Sequence, residues 1–66
     1  MSEIEDLKAT VKKLSQKATT MKMNLHDLSE ELPNDFEKIP AVAKETFEAY
    51  AALTQARAKL KALESA

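Results

Sequence analysis

The chain contains no cysteine and no glycine, and each absence removes a class of chemistry. Without cysteine there is no disulfide, no thiol nucleophile, no structural zinc knuckle and no ordinary iron-sulfur ligation, a usage that fits a reducing compartment. Without glycine the backbone lacks the residue from which phosphate-cradling loops and dinucleotide turns are built. No hydrophobic run approaches bilayer-spanning length, and the acidic start Met1-Ser2-Glu3-Ile4-Glu5-Asp6 does not read as a secretory signal. These features predict a cytoplasmic protein with no membrane segment. At 66 residues it reads as one domain, 1–66, near the size at which a single core needs help from a metal or from oligomerisation.

What is present is a long apolar seam. Ile4, Leu7, Val11, Leu14, Ala18, Met21, Leu25, Leu28 and Leu32 alternate spacings of three and four, the heptad signature of a helix packed lengthwise on another. The spacing predicts a first helix over about 3–32, opened by a capping box of Ser2 and Glu5. Pro33 closes it, Asn34-Asp35 supplies turn chemistry, and Asn34 with Glu37 reads as a cap for one helical turn carrying Phe36. Pro40 suits the first turn of a second helix over about 40–64, after a turn at 33–39. There Val42, Thr46, Ala49, Leu53, Ala56, Leu60 and Leu63 repeat the seam.

Two such seams joined by a short turn predict an all-α antiparallel two-helix hairpin. Pairing outward from the turn sets Leu28 beside Thr46, Leu25 beside Ala49, Met21 beside Leu53 and Ala18 beside Ala56. The alanine layers let the helices approach closely but bury little, and a hairpin covers only one side of each residue. At roughly 1.5–3 kcal/mol per fully buried large side chain, that falls short of the ordering entropy, so the hairpin should dimerise into a four-helix assembly. Ala43, Phe47, Tyr50 and Thr54 form a second stripe beside the seam, holding two of the three aromatics, and are the expected dimer interface. His26, the only histidine, lies one position off the seam, about 100° round the helix, and is expected level with Phe47 and Tyr50 at the same interface.

Charge is segregated along the rod. Residues 8–22 carry five lysines and no acid, with Arg57, Lys59 and Lys61 returning beside them, whereas Asp27, Glu30, Glu31, Asp35, Glu37, Glu45 and Glu48 crowd the tip. Antiparallel hairpins with overlapping tip halves would bring each acidic tip onto Lys17, Lys22 and Arg57 of the other. Exposed pairs of this kind select orientation more than they stabilise. Lys8, Lys12, Ser15, Thr19 and Lys22 could line a phosphate-facing stripe, as in the helical-hairpin dimer that binds RNA in plasmid copy control. The net charge of −1 and the acidic tip argue against a nucleic-acid partner. No acid, base and enclosed pocket come together in the sequence, so an enzyme is not expected.

The runs Ala18-Thr19-Thr20-Met21-Lys22-Met23-Asn24-Leu25-His26-Asp27-Leu28-Ser29-Glu30-Glu31-Leu32-Pro33, Glu37-Lys38-Ile39-Pro40-Ala41-Val42-Ala43 and Thr46-Phe47-Glu48-Ala49-Tyr50 resemble a known family. It is the small helical-hairpin metalloprotein family, formally a domain of unknown function, encoded in nitrogen-fixation gene clusters of cyanobacteria and proteobacteria. The resemblance covers most of residues 14–60 and is most specific in Leu-His-Asp-Leu followed by Glu-x-Leu-Pro. It implies a dimeric hairpin with His26 of each subunit as a metal ligand, and so an accessory role in nitrogen fixation. One His26 from each chain would give two imidazoles across a twofold axis, with Glu30, one turn on, as a further ligand or hydrogen-bond acceptor. Met23, one turn earlier, offers a thioether, while Asp27 points to another face. Such a sparse site suits divalent copper, nickel, zinc or cobalt, bound reversibly, and the setting that the resemblance implies adds iron, which no residue here selects. The alternative is a metal-independent adaptor that docks on a nitrogenase-related protein through its tip.

Overall fold

Ser2 starts the first helix by satisfying one of its orphan amide groups. Its backbone is extended (φ −90°, ψ 153°) and its Oγ accepts a hydrogen bond from the Glu5 amide at 3.0 Å. Helix α1 then runs Glu3–Glu31, with Glu3, Glu5 and Asp6 in the first turn, where the helix dipole favours negative charge. It ends one residue before the expected boundary because Leu32 precedes Pro33 and turns to an extended ψ of 142°. The computed structural model describes residues 2–65; Met1 and Ala66, the ends of the expected 1–66 domain, lie outside the described residues.

The connection differs from expectation in one residue. Asn34 does not cap the following turn; its amide donates to the Glu31 carbonyl at 2.9 Å, and Asp35 precedes the 3-10 turn Phe36–Lys38 without a side-chain capping bond. Asp35 instead supplies the left-handed conformation (φ 58°, ψ 25°) that a glycine would otherwise take. Its carbonyl accepts from the Lys38 amide at 2.9 Å, and its carboxylate lies 3.8 Å from the Lys38 ammonium. Asp35→Val should therefore be less stable than Asp35→Gly by about 1–2 kcal/mol in matched urea melts, since both lose the ion pair but only valine carries a branched Cβ into this region. Equal midpoints would mean that the turn relaxes out of the left-handed geometry.

Helix α2 runs Ile39–Ser65 with Pro40 in its first turn, where a missing amide proton leaves no bond unmade. The two helices lie antiparallel in a rod of 49 × 15 × 13 Å. Both predicted seams face inward. Ala18, Leu28, Ala49 and Leu53 are buried, while Val11, Leu14 and Met21 pack half-buried against the Ala18, Ala49 and Leu53 cluster.

The register is displaced by one heptad from the predicted pairing. Thr46 Oγ1 donates to its own helix at Val42 (2.8 Å) and also reaches the Met21 carbonyl at 3.3 Å, so Thr46 meets Met21 rather than Leu28. In the same register Ala49 meets Ala18 rather than Leu25, and Val11, Leu14 and Met21 pack against the cluster of Ala18, Ala49 and Leu53. The physical reason lies in the connection. Leu32 leaves the helix and is 41% exposed, so the buried seam of α1 stops at Leu28 and residues 32–38 are all spent in the turn. At the open end Lys8 and Glu64 close the hairpin with a 3.6 Å ion pair.

Candidate functional site

His26 projects from α1 toward solvent. Its Nε2 lies 3.0 Å from Glu30 Oε1, and the two side chains are 67% and 66% exposed. The pairing follows from the helix itself, which stacks residues four apart on one face. Ser29 Oγ donates to the His26 carbonyl at 2.7 Å, so its hydroxyl proton is engaged by backbone rather than offered to the imidazole. Met23 is exposed one turn back from His26, and Asp27 is exposed on a different face. Among the described residues no three His, Cys, Asp or Glu side chains gather around one point, so a metal here would take two protein donors from one chain and the rest from water or a neighbour.

The expected interface stripe is also outward-facing. Phe47 is 73% exposed and Tyr50 37%, and with Ala51, Thr54 and Gln55 they line a shallow surface depression; Ala43 is half-buried. His26 shares this side of the rod but is not level with the aromatics. It lies five residues tipward of Met21, whereas Phe47 lies one residue on the other side of Thr46, which places His26 roughly 9 Å nearer the tip at 1.5 Å rise per residue. The heptad displacement of the register accounts for this difference.

A feature not predicted from the sequence is a groove on the opposite side, of about 200 Å³, where Leu14, Lys17 and Met21 of α1 face Glu45, Glu48, Ala49 and Ala52 of α2. The small side chains at Ala49 and Ala52 open it. That alanine pair was visible in the sequence as the available signal. The tip carries a further apolar group, with Leu32, Phe36 and Ile39 partly exposed among acidic residues. No described helix is long and apolar enough to cross a membrane.

Comparison with known proteins places these features in a lineage. A UPF0437 protein of Azorhizobium caulinodans is 55% identical over 65 residues, covering 98% of this chain and 94% of its own. A UPF0437 protein of Frankia alni, described as lying in the nifX-nifW intergenic region, is 49% identical over 41 residues, covering 62% of this chain and 50% of its own. The crystal structure of a DUF683-family protein from the cyanobacterium Cyanothece 51142 superposes with a TM-score of 0.88 at 47% identity, covering 89% of this chain and 97% of that one. Residues 2–65 match the Rop-like family, whose helical hairpins pair as dimers into four-helix bundles. The antiparallel hairpin, the heptad seam left half-covered and the match across nearly the whole sequence lead to one assignment: the chain belongs to the Rop-like family.

Proposed function

We propose that this protein is an accessory factor of nitrogen fixation that binds a divalent transition metal (nickel, zinc or iron) through His26 of each subunit, with Glu30 as the second donor. The association with nitrogen fixation is supported by the Frankia relative's position between nifX and nifW. The metal reading is carried by one distance. His26 Nε2 and Glu30 Oε1 are 3.0 Å apart. That is the length of a hydrogen bond between the two, and it brings an imidazole nitrogen and a carboxylate oxygen to one point, where an ion bonded at about 2.0–2.2 Å to each would take the place of the shared proton. The high exposure of both side chains leaves the remaining coordination positions open to water, which fits reversible binding rather than a closed structural site.

Titration with nickel or zinc tests this directly. His26→Ala should abolish binding while leaving helix content intact, because His26 lies outside the packed seam, and Glu30→Gln should weaken binding by a smaller factor. Undiminished binding by the alanine variant would leave the metal-independent adaptor as the working reading. The exposed Leu32, Phe36 and Ile39 at the acidic tip supply the surface on which that adaptor reading rests.

A further inference from the structure

We infer that the turn end of the hairpin is a docking knob for a short segment of another protein in which apolar side chains are flanked by lysine or arginine. The inference rests on the adaptor reading of the tip, not on the metal, and gives that reading its partner's chemistry. The apolar part comes from Leu32, Phe36 and Ile39, which are 41%, 64% and 37% exposed. They follow Leu28, the last buried residue of α1, so they lie past the end of the packed seam. A second hairpin packed lengthwise covers the sides of the rod, whereas these three stand at its end. The rod is only 15 × 13 Å in section, so they share one small surface. Two backbone bonds hold the turn that presents them, from the Asn34 amide to the Glu31 carbonyl and from the Lys38 amide to the Asp35 carbonyl, both 2.9 Å, which leaves little to be ordered on binding.

Charge selects the occupant. Residues 27–39 hold five carboxylates, from Asp27 to Glu37, against one ammonium, Lys38, which Asp35 already engages at 3.8 Å. Their net charge is therefore −4, and since the whole chain carries −1, the rest carries +3. Such an end repels a nucleic acid, an anionic membrane surface or an acidic peptide. It attracts a cationic segment. The lysines from Lys8 to Lys17 lie more than about 20 Å along the helix from Leu32, beyond a Debye length of about 8–10 Å, so they do not oppose the approach. Apolar side chains of the segment then meet Phe36, the most exposed of the three and of a residue type that interfaces favour. Size sets strength and length. The end of the rod is roughly 200 Å² in section, about a quarter of the 800 Å² that each partner gives to a standard interface, so a few residues fill it and the contact is weak and brief.

Weak binding of this kind is read residue by residue, by nuclear magnetic resonance on the full, isotope-labelled chain without added metal. The probes are three short synthetic peptides: leucines flanked on both sides by lysines, serines flanked by lysines, and leucines flanked by glutamates. The lysine-leucine peptide should shift the amides of residues 30–39, most strongly around Phe36, and bind at least about tenfold more tightly than either of the others. Phe36→Ser should lower that affinity at least about tenfold, the loss expected of an aromatic anchor, with helicity unchanged because Phe36 is exposed and outside the seam. Phe47→Ser, which removes an exposed aromatic away from the tip, should bind as the parent does. His26→Ala should do the same, which separates this result from the metal reading. Preference for the glutamate-leucine peptide at the same residues would overturn the cationic partner while sparing the adaptor reading. No binding of the lysine-leucine peptide, shifts centred on Phe47 and Tyr50, full affinity in Phe36→Ser, or equal affinity for the lysine-serine peptide would overturn the docking knob itself.

Discussion

Leu53→Ala should destabilise this protein by about 2–5 kcal/mol, the cost of a buried leucine replaced where the surroundings cannot collapse around the gap. Leu53 is 3% exposed and packs in a cluster that joins α1 to α2 at mid-rod, with Ala18, Ala49, Leu14 and Met21 around it. Alanine already occupies two positions of that cluster, so a third leaves no bulky side chain from α2 in it. Leu32→Ala is the matched control. It belongs to the same heptad pattern, yet Leu32 stands outside the helix at the turn, 41% exposed, and its truncation should change stability by about 0.5 kcal/mol or less. Urea denaturation of both variants at one protein concentration measures the difference, the concentration being fixed because dimer stability depends on it. Equal losses at 32 and 53 would mean that the α1 seam continues through Leu32 and that the pairing is the one periodicity alone suggests.

That control marks the boundary of what the sequence could convey. Heptad spacing identified which residues face inward, and Ile4 through Leu28 and Val42 through Leu63 are all buried or half-buried as their positions require. It could not identify which layer meets which. Sliding one helix by a heptad returns apolar residues to apolar positions, so the seam is compatible with Thr46 beside Leu28 or beside Met21, and the choice falls to the connection. The connection was the least legible segment. Asn34 and Asp35 both suit caps and left-handed turns, and only the backbone shows that Asp35 took the φ of 58°. The same limit governed the site. One turn of helix sufficed to place Glu30 beside His26, whereas the level of Phe47 and Tyr50 relative to His26 depended on the register and moved with it. The groove lay deeper still, since it arises where small residues of α2 face larger ones of α1, a property of two paired helices rather than of either pattern.

Because His26 and Glu30 of one chain already meet at one point, saturation with nickel or zinc should end near one ion per chain rather than one per two chains. The family resemblance implied a shared ion, with His26 expected level with the interface aromatics. In the observed register His26 lies well tipward of mid-rod, so two hairpins overlapped antiparallel about mid-rod would carry the two imidazoles toward opposite ends of the bundle. Their separation then far exceeds the roughly 4 Å that two nitrogens on one ion can span at bond lengths of about 2.0–2.1 Å. Each ion would be held by His26 and Glu30 of a single chain. Isothermal titration of the dimer gives the ratio, and Glu30→Gln provides the internal check. It should weaken binding at every site if each ion uses its own Glu30, with the endpoint unchanged. An endpoint of one ion per two chains, lost in a monomeric variant that still folds, would place both histidines on one ion and overturn the single-chain site.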